Sequence, residues 1–168
     1  MADIEGHGDN AAPAAYGGIY VIAGTHRHRI DRPFPGRLLF WVPDVETLTD
    51  DSRACLPEMV SRADAVFNLG RIGLLIAALY EQRIDLLATA TEDRLHQPER
   101  LVACEPAGQA YRLAIEAGAA AAWLSGSGPT IAVVAEPERI GAISDALCAT
   151  GKVLELPIDT IGAIEDPA

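Results

Sequence analysis

Hydrophobic and polar positions along this chain alternate between runs of strand length and longer helical stretches. Two apolar runs, residues 119–124 and 131–135, flank the short loop Leu124-Ser-Gly-Ser-Gly-Pro-Thr130 and read as adjacent strands with a tight connection. Residues 18–23 and 37–42 are further strands, the second closed by Pro43, and residues 152–156 form a last one. Ser61 caps the longest helix, residues 62–80, in which Asp64, Asn68 and Arg71 make one narrow polar stripe on an otherwise apolar cylinder. So apolar a helix should be packed on most sides, and Gly70 and Gly73 suggest close approach of a neighbour. Residues 84–91 continue as a second helix, 106–117 is a third stopped by Gly118, and 136–149 is a fourth, opened by Glu136-Pro137-Glu138 and stopped by Gly151. Between them lies a charge-dense run, residues 92–100, which reads as solvated surface.

The first third is less regular. Asp9 or Asn10 can cap a short helix over residues 13–16, with Gly17-Gly18 as its stop. A basic patch, residues 25–29 with Arg32, reads as a solvated, edge-like strand or loop. It places His26 and His28 on one face, two ligands short of a zinc site. Pro33, Pro35 and Gly36 mark the main boundary, giving units 1–33 and 34–168. Thr49 caps a short helix that ends before Pro57. From residue 34 the order is β, several α, β, β, α, β. That is the order of an α+β, ferredoxin-like fold: an antiparallel sheet with helices on one face.

Composition narrows the function. The 168 residues are 49% hydrophobic and 22% charged, as in a globular chain with a proper core. A formal charge of -11 speaks against nucleic acid or an anionic membrane as partner. Cys55, Cys104 and Cys148 are odd in number and far apart, as incidental thiols of a reducing compartment are. The first residues contain no apolar core of a signal peptide, and the longest apolar run, residues 72–79, is too short to span a bilayer. A cytoplasmic protein is expected.

The loop at residues 124–130 is not a Walker A loop, lacking Gly-Lys-Ser/Thr, nor a dinucleotide fingerprint, because Pro129 and a strand follow it. Gly126 and Gly128 can adopt positive φ, and successive amides there can form an anion nest; a plain hairpin is the alternative. Four stretches taken together resemble one family. The loop matches the third motif of the GHMP small-molecule kinases, a superfamily that includes the homoserine, galacto- and mevalonate kinases. Glu5-Gly-His-Gly-Asp-Asn10, with Pro13 and Gly17-Gly18, is similar to the homoserine kinase pattern Glu-Gly-His-Pro-Asp-Asn. Residues 61–71 and 92–100 resemble two further blocks of that family. The resemblance covers nearly the whole chain and corresponds to the C-terminal half of such a kinase.

The resemblance implies ATP-dependent phosphorylation of the L-homoserine hydroxyl in threonine biosynthesis, with ATP and Mg2+ as cofactors. It implies a magnesium contact for Glu5 and a substrate pocket for His7, Asp9 and Asn10. Arg53 and Arg100 would grip the substrate carboxylate, a task that suits a planar, permanently charged fork. Ser125, Gly126, Ser127 and Gly128 would support the phosphate loop. It implies no dedicated catalytic base, since positioning and charge stabilisation dominate such a transfer.

The family's ATP loop, Gly-Leu-Gly-Ser-Ser-Ala at a helix N-terminus, has no counterpart in the 168 residues. Residues 1–33 therefore read as a remnant of the N-terminal domain. They are expected to be poorly anchored, their strand belonging to a sheet supplied elsewhere. The chain alone is expected not to turn over, and its expected partners are L-homoserine and either a separate N-terminal half or a second copy. Gly8 stands where the family has proline, and Glu99 where it has tyrosine. A carboxylate at 99 can pair with Arg100 and weaken its grip. A non-catalytic ferredoxin-like binding module and a non-functional remnant are the alternative readings.

Overall fold

The computed structural model describes residues 9–44 and 55–163, which form two compact units: 1–34 with 157–168, and 35–156. The tail beyond residue 156 thus groups with the first unit, whereas the sequence assigned it to the second. Thr49 and the short helix expected after it lie outside the described residues.

In the first unit, helix α1 (Ala11–Tyr16) leads into strands β1 (Ile19–Ala23) and β2 (His26–Ile30), an antiparallel pair with Val21 opposite His28. Helix α1 begins at Asn10 without a side-chain cap, and Gly17, at φ +63°, ends it by donating its N–H to Pro13 O. Strand β1 therefore has a partner within this chain, correcting the expectation that its sheet must come from elsewhere. The tail anchors the unit further. Gly18 N donates to Asp159 O, Ala163 N to Ala14 O, and Arg29 donates to the carbonyls of Tyr16 and Thr160. A Cβ on Gly17 would sit 2.5 Å from the Ile161 nitrogen, so only glycine admits that crossing.

The second unit holds β3 (Arg37–Val42), α2 (Arg62–Glu81), a 3-10 turn (Ile84–Leu86) and α3 (Leu87–Ala90). There follow α4 (Gln97–Ala103), α5 (Glu105–Glu116), β4 (Ala121–Leu124) and β5 (Ile131–Ala135). A second 3-10 turn (Pro137–Arg139), α6 (Ile140–Cys148) and β6 (Lys152–Glu155) complete it. The sheet order is β4-β5-β3-β6, antiparallel throughout, which is the ferredoxin-like order expected from the sequence.

Alternation along the strands turns Leu39, Trp41, Ile131, Val133, Ala122 and Leu124 toward one core, which α5 closes with Ala107, Ala110 and Ala114 and α6 with Ile143 and Leu147. The small alanines of α5 let that helix lie close on the sheet, and Gly108 lets α4 approach it. A Cβ at 108 would be 2.6 Å from Leu101 O. All five residues of β5 are buried, as befits a central strand.

Three expectations are corrected. Residues 84–91 form a 3-10 turn and a single α turn rather than a continuous helix. Helix α2 is not packed on most sides: among its residues only Ala78 and Leu79 are fully buried, and a Cβ on Gly70 or Gly73 would meet nothing within 4 Å. The charged run 92–100 is not simply solvated, because it folds back onto the polar stripe of α2.

Candidate functional site

Helix α2 starts as its sequence dictates, with Ser61 Oγ accepting from Asp64 N at 3.0 Å and donating to Asp64 Oδ2 at 2.6 Å. One turn on, Asn68 reaches across to the segment between α3 and α4. Its Nδ2 donates to Asp93 Oδ1 at 2.5 Å and its Oδ1 accepts from Arg94 N at 3.0 Å. A further turn along, Arg71 binds Glu92 Oε2 through Nε at 2.9 Å and Nη2 at 2.5 Å. The guanidiniums of Arg71 and Arg94 each lie 3.9 Å from the Phe67 ring centre, so the ring is flanked by two cations. Residues 61–71 and 92–94, far apart in sequence, are thus one interlocked surface.

Asp93 is its hub. The other carboxylate oxygen, Oδ2, accepts the amides of Leu95 (3.0 Å), His96 (2.7 Å) and Gln97 (2.8 Å), which cap the start of α4 where the helix leaves its own donors unused. The side chain is only 8% exposed. Burial pushes its carboxyl upward, but the amides of Gln97 and His96, the Asn68 amide and the nearby His96 outweigh that and hold it below its ordinary 3.8. Helix α4 then projects two useful groups. Gln97 is buried and bridges Thr91 O (3.0 Å, from Nε2) to Leu124 N (2.9 Å, into Oε1), fixing α4 to the start of the glycine loop. One turn later Arg100 Nη1 lies 3.3 Å from His96 Nδ1.

A guanidinium only donates, so that contact requires Nδ1 of His96 to accept, and the proton of the neutral ring is assigned to Nε2. Burial lowers the His96 pKa; Asp93 pulls it up and Arg100 pushes it down, leaving it below 6.5. A histidine whose native pKa is depressed contributes its stability in full above 6.5 and loses it as pH falls toward the native value. The melting temperature should therefore decline from pH 7 to pH 5, and His96→Asn should flatten that slope. An unchanged slope in the variant would place the titrating group elsewhere.

The loop between β4 and β5 is a tight hairpin in which Gly126 (φ +59°) and Gly128 (φ +79°) both take positive φ, with a cis bond before Pro129. Ser125 N donates to Thr130 O, and Gly128 N to Ser125 O. Those two amides are spent within the hairpin, which makes the loop a rigid support more than a complete anion nest.

The structure brings Arg100 and Ser125–Gly128 into one unit, joined through Gln97. Asp9 and Asn10 lie in the other unit, at the start of α1, where Asn10 N donates to Asp9 Oδ1. Glu5, His7 and Arg53 lie outside the described residues. Glu99 Oε2 is buried and receives no hydrogen bond from Arg100 or any other described group. Among the described residues no group of three or more His, Cys, Asp or Glu side chains is arranged to hold a metal. The sequence reading missed the positioning role of Asp93 and Gln97. Asp93, a few residues ahead of Pro98 at the helix start, carried a cap signal that the density of charge around it obscured.

Residues 75–153 match the model of the GHMP kinases C-terminal family, a stretch that runs from the second half of α2 to β6. The homoserine kinase of Desulfitobacterium hafniense is 39% identical over 171 residues, covering 95% of this chain and 58% of that protein. That of Thermus thermophilus is 40% identical over 150 residues, 88% of this chain and 51% of that protein. The solved structure of homoserine kinase from Cytophaga hutchinsonii superposes with a TM-score of 0.83 at 26% identity, over 93% of this chain and 53% of the other. Fold and sequence match thus define a GHMP kinase C-terminal domain. The chain belongs to the homoserine kinase family, matching the C-terminal part of its members and spanning little more than half their length.

Proposed function

We propose that this chain supplies the C-terminal part of an ATP:L-homoserine phosphotransferase, a cytoplasmic enzyme of threonine biosynthesis. The observation that carries this reading is the 39% identity to a homoserine kinase across 95% of the chain. Residues 1–33 correspond on this reading to the end of the N-terminal kinase domain, and residues 34–168 to the C-terminal one.

Arg100, with Arg53, grips the substrate carboxylate, while His7, Asp9 and Asn10 line the amino-acid pocket. Neutral His96 accepts from Arg100 and orients the guanidinium without adding a competing charge. Asp93 fixes the start of α4, and Gln97 sets the distance from Arg100's helix to the Ser125–Gly128 support, so carboxylate grip and phosphate support are held on one frame. Bound ATP supplies the γ-phosphoryl group and Mg2+ the neutralising charge, with Glu5 as the ion's protein contact. The transfer needs no base from this chain, since alignment and charge neutralisation carry most of the barrier lowering.

ADP release by the purified chain with Mg2+ and ATP, compared with and without L-homoserine, tests the reading. Turnover is expected to be absent from the chain alone. It should appear when the part of the D. hafniense enzyme outside the match is fused ahead of this chain. Turnover by the chain alone would overturn the need for a complement. A folded fusion without homoserine-dependent turnover would overturn the kinase reading in favour of a non-catalytic module or a remnant.

A further inference from the structure

Helix α2 is amphipathic in the unexpected direction. Asp64, Asn68 and Arg71 point at the domain, where residues 92–94 bind them. The opposite stripe is apolar and bare: Val66 is 60% exposed, Leu69 72% and Ile72 57%, with Met59 85% exposed just ahead of the helix. A monomer rarely leaves so contiguous an apolar strip in water. Gly70 and Gly73, on the bare side, meet nothing within 4 Å and would let a partner's backbone come close.

The geometry points to a docking surface: the face formed by Val66, Leu69, Gly70, Ile72 and Gly73 receives the polypeptide that corresponds to the N-terminal remainder of homoserine kinases. The identity of that partner rests on the proposed function. Relatives of this chain carry about two fifths of their length outside the match, enough for a folded domain. A second copy is disfavoured because each chain brings a formal charge of -11 to the contact. By length and composition α2 is apolar enough to cross a membrane. Its opposite face, however, is tied by hydrogen bonds and ion pairs to Glu92, Asp93 and Arg94, and a spanning helix would have to bury those charges in lipid.

The test is thiol labelling of Leu69→Cys, with the labelled peptide resolved by mass from those of the native cysteines. The substitution sits on an exposed position and leaves the core intact. In the chain alone the new thiol should react at the rate of an open surface cysteine. In the fusion with the D. hafniense remainder it should react at least tenfold more slowly. Equal rates in the two proteins would overturn the proposal. Protection of the chain alone that grows with its concentration would assign the face to a second copy instead. Protection only by vesicles of phosphatidylglycerol and phosphatidylcholine would assign it to lipid. Protection is read without substrate, so a fusion that is protected yet inactive would refute the kinase reading while leaving the docking surface standing, and an active but unprotected fusion would do the reverse.

Discussion

Replacing Asp93 by alanine is expected to lower the melting temperature of the chain by about 10 °C, from a loss of about 3 kcal/mol. The carboxylate accepts from Asn68 and from three consecutive amides at the start of α4, so its removal leaves Asn68 without that partner and the helix start uncapped. The bonds are charge-assisted and the side chain is largely buried, which is why the effect should exceed that of an ordinary surface cap. Asp93→Asn keeps the size and one acceptor oxygen and should lose less. The pH dependence follows from the direction of the shift. A carboxylate held below its ordinary value stabilises fully above 3.8 and loses that contribution as pH falls through the native value. Wild type and Asp93→Ala should therefore differ widely at pH 7 and converge in strong acid, as followed by thermal melts. A variant within 1–2 °C of wild type at pH 7 would mean that the hub carries no net stability. On the proposed function, the same variant should also raise KM for homoserine in the fusion, because Arg100 stands on the helix that Asp93 starts.

Trp41→Ala should be the most damaging core substitution, with a loss of about 4 kcal/mol read from urea denaturation. Trp41 is fully buried, lies opposite Ile131 of β5 and Val153 of β6, and so ties the centre of the sheet to its edge. Its Nε1 donates to Thr150 Oγ1 at 3.1 Å, and that hydroxyl donates on to Leu147 O at 3.0 Å, linking the strand to the end of α6. Gly151 completes the fit, since a Cβ there would come 2.5 Å from Trp41 Nε1. Trp41→Phe retains most of the volume but removes the indole donor to Thr150 Oγ1, so it should lose about 1–2 kcal/mol. If alanine and phenylalanine behave alike, the hydrogen bond rather than the packing dominates.

The fold was largely readable because its signals are local. Strand-length apolar runs at 37–42, 119–124 and 131–135, a serine cap at Ser61 and glycine stops at Gly118 and Gly151 each act within a few residues. The ferredoxin-like order then follows from the alternation of elements. The hairpin glycines were readable for the same reason, Gly126 and Gly128 both taking the positive φ that their residue type allows. The surroundings of α2 were not readable. A nearly apolar helix implies burial, yet here the few polar residues face inward, because their partners at 92–94 are supplied by a distant segment. Asp93 looked like one charge among many in a solvated run. Its burial depends on Asn68 arriving from another helix, and no local pattern encodes that arrival.

By itself, then, the sequence determined most of the elements and their order, the family and the residue types available for chemistry, since propensity, capping and patterning operate over short range. It did not show helix α4 or the break within residues 84–91. Only the tertiary structure decided which face of α2 is bonded, that residues 92–97 form a capped hub, and that Gln97 joins α4 to the glycine loop. The bonds of α2 and the Gln97 link depend on groups 21 to 27 residues apart in the chain meeting at hydrogen-bond distance. The hub, whose amide bonds are local, is closed by Asn68 from 25 residues away, and a linear pattern does not specify such meetings.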